Sequence, residues 1–271
     1  MIGINTNSAS LVAQKNLVGN TAGLQTSIAR LSSGLRVNSA RDDAAGLAIA
    51  TRMSADIRGM DVAKRNANDG VSALQVADGT LGSISDNLQR MRELAVQSAT
   101  GTLTGSDRTN LNAEFQSLAL EVTDQATKAN FNGVKLLDGS TASLSIQTGA
   151  KTGDTIAVNL TNASAAVAAT TAGAVATVAG ANTAMTNIDT ALDTLNAGRA
   201  TLGAGINRLD AAVSNLSTTI TNLSAARGRI MDADFASETA SLTRSQILQQ
   251  AGTAMLAQAN QLPNNVLSLL K

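Results

Sequence analysis

Two long stretches of this chain keep apolar or small residues at alternating steps of three and four, and that repeat constrains the fold more than any other feature. The first seam runs through Met60, Ala63, Ala67, Gly70, Leu74, Ala77, Leu81, Ile84, Leu88, Met91 and Ala95, over about five heptads. The second runs through Met185, Ile188, Leu192, Leu195, Arg199, Leu202, Ile206, Leu209, Val213, Leu216, Ile220, Leu223, Arg227 and Ile230, with only its two arginines polar. A seven-residue repeat drifts slowly around an α-helix, and a left-handed supercoil between partners compensates the drift. The first seam is rich in Ala and Gly and the second in Leu and Ile, so small faces large. The simplest packing is antiparallel within one chain, a bundle seam carried by Leu74, Leu81, Leu88, Leu195, Leu202, Leu209, Leu216 and Leu223. Arg199 and Arg227 either snorkel to solvent or to a carboxylate at the seam edge, or set register and pair between subunits.

Composition points the same way and removes most chemistry. Phe115, Phe131 and Phe235 are the only aromatic rings among 271 residues, so the core is aliphatic and spread along the chain. With neither His nor Cys, Ser/His/Asp and Cys/His catalysis and thiolate metal sites are excluded, and no catalytic, cofactor or metal residue is expected. Asp42 and Asp43 read as helix-capping groups rather than as an acid pair or metal ligands. GVSALQVADGTLGS is no phosphate loop, because its glycines lie inside a heptad seam and no GK[ST] follows. Twenty acidic groups balance twenty basic ones, and nucleic acid is not an expected partner. No apolar run approaches a membrane span, and the opening MIGINTNSASLVAQKN lacks the basic and apolar regions of a cleaved secretory signal.

The remaining elements fall around the seams. Asp42 and Asp43 begin a helix predicted over about 44–99, which Gly101 and Gly105 end. Asp107 then caps a shorter helix with the stripe Leu111, Phe115, Leu118, Val122, Gln125 and Ala129. After the turn-rich NFNGVKLLDGS, the alternating runs 143–148 and 154–160 read as a hairpin. Residues 162–180, almost wholly Ala, Thr, Val, Ser and Gly, are either a loosely held connection or the start of the last long helix, and their low complexity suggests a tolerant surface. Leu17, Leu24, Ile28, Leu31 and Leu35 stripe one chain end, and Leu248, Ala251, Met255, Ala259, Leu262, Val266 and Leu269 stripe the other, where Pro263 is expected to kink or end the helix. Neither end can bury its stripe alone, so the ends need each other or neighbouring molecules. The expected architecture is mainly α, a long antiparallel coiled-coil rod with a small β-hairpin and with helical, paired termini.

These residues resemble a known family, the bacterial flagellins. The resemblance is carried by INTNSASLVAQKNL, LSSGLRVNSARDDAAGLAIATRM (31–53), NDGVSALQVADGTLGSISDNLQRMRELAVQSA (68–99), NFNGVKLLDG (130–139) and SAARGRIMDADFASETASLTRSQILQQAGTAMLAQANQLPNNVLSLL (224–270). It covers nearly everything outside about 141–185, where many flagellins insert outer domains for which this chain has no room. The resemblance implies a terminal domain from about 1–43 and 230–271 lining a filament core. It also implies a helical domain from 44–140 and 181–229, with the hairpin and variable connection at 141–180. The implied function is that of an extracellular structural subunit polymerising with itself into the flagellar filament for motility, after export as an unfolded chain through the flagellar type III apparatus. A minor flagellin, a hook-filament junction-type protein and an exported adhesin rod are the alternatives. Implied partners are the export chaperone and filament cap and junction proteins. Host innate immune receptors would meet Gln89, Arg90, Leu94, Gln97 and Glu114. Leu248, Met255, Leu262, Val266, Leu267, Leu269 and Leu270 are the implied contacts for terminal packing, chaperone or intracellular sensors. Glycosylation of the Ser/Thr-rich 140–186 region is left open.

Overall fold

A computed structural model of the chain describes residues 6–268, with side chains through residue 261. The elements, in order, are α1 (Ser8–Ser33), α2 (Ala44–Ala99), α3 (Gly105–Lys128), β1 (Asn130–Phe131), β2 (Val134–Lys135), β3 (Ser143–Gln147), β4 (Thr155–Asn159), α4 (Ala163–Thr171), α5 (Val178–Met231) and α6 (Phe235–Ser268). The chain divides into two compact units, 56–221 and the paired ends 1–55 with 222–271, so the division falls inside α2 and α5.

In the 56–221 unit, α2 buries its seam as spaced: Ala63, Ala67, Leu74, Ala77, Leu81, Ile84, Leu88, Met91 and Ala95 are all buried. Arg92 Nε meets Asp189 Oδ1 at 2.7 Å and Arg199 Nε meets Asp78 Oδ1 at 2.8 Å. The partners advance along α2 as they retreat along α5, so the helices are antiparallel. Arg199 thus reaches a carboxylate at the seam edge, and Asp78 holds its guanidinium above the usual arginine range. The α5 seam differs from the sequence expectation at alternate positions. Ile188, Leu195, Leu202, Leu209 and Leu216 are buried, but their companions are Ala181, Ala184, Ala191, Gly198 and Gly205. Met185, Leu192, Ile206 and Val213 are half-buried against the edge, and Leu223, outside this unit, is also only half-buried. On α5 small and large residues alternate along the buried face, because the side chains of Thr161 and Val158 occupy the hollows at Gly198 and Gly205 and leave no room for a larger residue there.

The glycines also seat the hairpin. β3 and β4 pair antiparallel with Leu144 opposite Val158 and Ile146 opposite Ile156, so period-two alternation puts all four apolar side chains on one face. A methyl group at Gly205 would lie 2.7 Å from Val158 Cγ1 and 3.3 Å from Leu74 Cδ1, and one at Gly70 would collide with Ile146. The hairpin core occupies the hollows these glycines leave. Gly205→Val is therefore expected to overpack the site and lower stability by about 1–3 kcal/mol, read as a lower urea midpoint at unchanged m.

Three local features depart from expectation. Thr104, not Asp107, is the N-cap of α3; Asp107 sits three residues on and closes a capping box by accepting from the Thr104 N–H at 3.0 Å. Hydrogen bonds from the Thr104 hydroxyl and backbone hold the Asp107 carboxyl below its ordinary value. A carboxyl whose folded value is depressed stabilises above its unfolded value near 3.8 and loses that contribution as pH falls through the folded value. The protection of amides 105–108, taken relative to their intrinsic exchange rate at each pH, is accordingly expected to fall on acidification below about pH 4, and to lose that pH dependence in Asp107→Asn. The passage NFNGVK forms a hairpin of its own, with Asn132 and Gly133 both at positive φ, 49° and 82°, as a two-residue turn requires. Most of 162–180 is neither a loose connection nor part of α5, which takes only Val178 onward. Asn162 caps the separate helix α4, whose Val167, with Val175 beyond it, is fully buried in the core that α3 supplies through Phe115 and Val122.

In the other unit, Asp43 caps α2 by accepting from the Gly46 N–H at 2.7 Å, while Asp42 accepts from the backbone of Asn38 and Ser39 and steadies the preceding turn. The backbone of Arg36 donates to Met231 O at 2.6 Å and that of Ala233 to Gly34 O at 3.0 Å, tying together the turns that follow α1 and α5. Arg227 Nη1 donates to Ser54 Oγ at 3.3 Å. α6 continues past Pro263 to Ser268, so this proline does not end the helix.

Candidate functional site: the terminal helix pair

α1 and α6 form an antiparallel pair whose seam is unusually polar. Asn7 uses both ends of its amide: Oδ1 accepts from the Ser10 N–H to cap α1, and Nδ2 donates to Ala259 O at 2.8 Å. Ser10 Oγ donates to Asn260 Oδ1 at 2.9 Å, Asn20 Nδ2 donates to Ser245 O at 2.7 Å, and Arg30 Nη1 faces Glu238 at 3.7 Å. Leu17 packs on Gly252, where a methyl group would come within 2.9 Å of Leu17 Cδ1. Polar seam positions fix register at a cost in stability. Among the described residues of this unit only Val37, Ala50 and Ala259 are fully buried apolar side chains, far too small a core to hold about a hundred residues on its own.

Several large apolar residues that could have enlarged the core face outward. On α6 the mutual seam takes Leu242, Ser245, Gln249, Gly252, Leu256 and Ala259, which leaves Leu248 52% and Met255 65% exposed. The described part of the stripe read from sequence is thus the outer one, and of its described members only Ala259 is buried. Leu11, Val12, Val18, Ile28 and Ile247, not singled out from sequence apart from Ile28, are likewise exposed on the same pair. Val12, Ala13 and Leu17 of α1 and Leu248, Ala251 and Met255 of α6 line an open groove of about 790 Å³. The signal that could have found this second stripe is the seven-residue spacing of Leu11 to Val18 and of Leu248 to Met255. The side chains of Leu262, Val266 and Leu267, and all of Leu269 and Leu270, lie outside the described residues.

The second candidate surface is the α2 face near residues 88–99. Arg90 donates to Glu114 Oε1 from Nη2 at 2.8 Å and from Nε at 3.1 Å, and to Glu93 Oε2 at 2.9 Å. Hydrogen bonds donated to Glu93 first, then to Glu114, hold the guanidinium above its ordinary range. Gln89, Arg90, Gln97 and Glu114 are exposed, and Gln89 and Gln97 border a shallow depression with Val96. Leu94 is 1% exposed and belongs to the core. It cannot present a side chain to a receptor, because it follows Met91 by three residues and precedes Ser98 by four, the spacing of the buried seam.

Among the described residues no group of three acidic, His or Cys side chains is placed to hold a metal ion, and no helix is long and apolar enough to cross a membrane. An under-filled terminal pair with an uncovered second stripe defines a structural subunit of a helical assembly. The comparisons agree. Residues 4–142 match the bacterial flagellin N-terminal helical region and 185–270 the C-terminal helical region. The chain is similar to the flagellin of Xenorhabdus nematophila, 43% identical over 309 residues, and to that of Halalkalibacterium halodurans, 44% identical over 270, each alignment covering 99% of both chains. Its fold is similar to the crystal structure of Bacillus cereus flagellin, with a TM-score of 0.52 and 36% identity over 60% of this chain and 94% of that one. The chain belongs to the bacterial flagellin family, as a short form, and its role is that of a structural filament subunit rather than an enzyme.

Proposed function

We propose that the terminal pair lines the core of the flagellar filament and that neighbouring copies of the chain cover the groove and stripe of α1 and α6. The observation that carries this reading is the contrast between three small or modest buried apolar side chains in the terminal unit and the row of exposed Leu, Val, Ile and Met beside them. Covering one such side chain contributes about 1.5–3 kcal/mol, so a few per neighbour decide assembly. A contact between different patches that does not close into a ring extends into an open helix. Purified monomer added to short filament seeds should elongate them under electron microscopy; seeds that stay at their starting length would sink the reading.

Outside the cell the filament is reached by export of the unfolded chain through the flagellar type III apparatus, with the 231–271 segment offered to the export chaperone before it packs. Cap and junction proteins then meet the same terminal surfaces at the filament ends. The hydrophobic end Val266, Leu267, Leu269 and Leu270 serves intracellular sensors when monomer strays. Released monomers present the face of Gln89, Arg90, Gln97 and Glu114 to host innate immune receptors. Arg90→Ala with Glu114→Ala is expected to reduce receptor activation at least roughly tenfold while leaving thermal unfolding in place, since exposed ion pairs contribute little to stability. Full activation by the double variant, measured with a receptor reporter, would contradict this.

A further inference from the structure

Met255 stands apart from the other methionines whose side chains are described. Met91 is fully buried, Met53, Met60, Met185 and Met231 are half-buried, and Met255 is exposed in the α6 wall of the groove beside Leu248, Ala251 and Gly252. We infer that Met255 is a peroxide-sensitive modification site whose oxidation closes the groove to a second copy of the chain, an inference that rests on reading the groove as a subunit contact. The thioether sulfur attacks one oxygen of hydrogen peroxide or an organic hydroperoxide. The S–O bond forms as the O–O bond breaks, the proton passes to the departing oxygen, and sulfoxide and water (or the alcohol) result: sulfur loses two electrons and the peroxide gains them.

The product replaces a flexible apolar side chain with a polar one. Its S=O oxygen is hydrated in the monomer. Its neighbours on the α6 wall, Leu248, Ala251 and Gly252, offer no side-chain donor, and the polar groups of the groove, Ser8, Asn16 and Asn20, stand on the α1 wall, where Asn20 already donates to Ser245 O; covering the sulfoxide therefore strips water that its own wall does not replace. Access gives the effect a direction. The sulfur is open in the free subunit and covered once a neighbour docks, so oxidation acts on monomers awaiting assembly and spares subunits already in a filament.

The test treats full-length monomer with limiting hydrogen peroxide, quenches it, locates added oxygen by peptide mass spectrometry and measures seeded elongation. Met255 is expected to oxidise first, at least roughly tenfold faster than Met91, and the oxidised monomer to elongate seeds at least roughly tenfold more slowly than untreated monomer. In Met255→Leu the ratio of treated to untreated elongation rates should stay near one, whatever that variant's own untreated rate. Polymerised protein should show Met255 protected. Equal oxidation of Met255 in monomer and filament, or unchanged elongation after its oxidation, overturns the inference while leaving the filament reading intact. Failure of untreated wild-type monomer to elongate removes the reading on which it rests.

Discussion

Leu248→Glu combined with Met255→Glu is expected to abolish seeded elongation while leaving the main unfolding transition of the 56–221 unit unmoved. Both side chains are more than half exposed in the subunit, so a carboxylate at either position is hydrated in the monomer and costs the fold little. Docking a neighbour would then bury two charges with no partner on the α6 wall, a penalty of several kcal/mol each. That exceeds what a few covered leucines supply. The expected loss is therefore more than a hundredfold in elongation rate, measured by light scattering or by filament length in micrographs. Wild-type elongation by this variant would mean that another surface makes the filament contact.

The second large effect lies in the other unit. Leu202 is fully buried on α5 and has Gly198 and Gly205 as its neighbours on the buried face, where glycine has no side chain to move into a void. Leu202→Ala is expected to cost about 2–5 kcal/mol through lost transfer energy and the cavity left behind, lowering Tm by about 5–20 °C for a unit of this size. Leu192→Ala, half-buried at the seam edge, should cost distinctly less. Calorimetry of the two variants side by side separates the observed α5 seam from one in which both leucines are equivalent core positions; equal shifts would contradict the burial pattern.

Much of this architecture is legible in the sequence, and the failures have physical causes. α2 is readable end to end because its capping Asp43, its unbroken heptads and the glycine after it agree. The α5 seam departs from the hydrophobic pattern at every second layer because hydrophobicity favours Leu192, Ile206 and Val213 over Ala191 and Gly205, whereas the packing of Thr161 and Val158 into the hollows at Gly198 and Gly205 requires the small residue. On α6 the stripe alone does not tell packing within the pair from packing on neighbours; Gly252, opposite Leu17, holds the inner face and leaves Leu248 and Met255 outside. α4 has no readable period in ASAAVAATT; its packing against α3 makes Val167 a core residue. The Thr104-x-x-Asp107 capping box was present in the sequence and readable by its spacing. Arg90 and Glu114 meet as an ion pair, whereas Leu94, on the same helix as Arg90, is set apart from them by its place in the buried seam.

The central claim is that the terminal helices obtain their core from neighbouring copies. Amide hydrogen exchange of α1 and α6, measured on the monomer and on the assembled filament and compared with the buried stretch of α2 around Leu81, tests it most directly. In the monomer, exchange in 8–33 and 235–261 should be at least roughly a thousandfold faster than in that stretch, because local opening costs little where few apolar contacts hold a segment. In the filament most of that difference should vanish. Terminal helices as protected in the monomer as around Leu81, or unchanged by assembly, would contradict it.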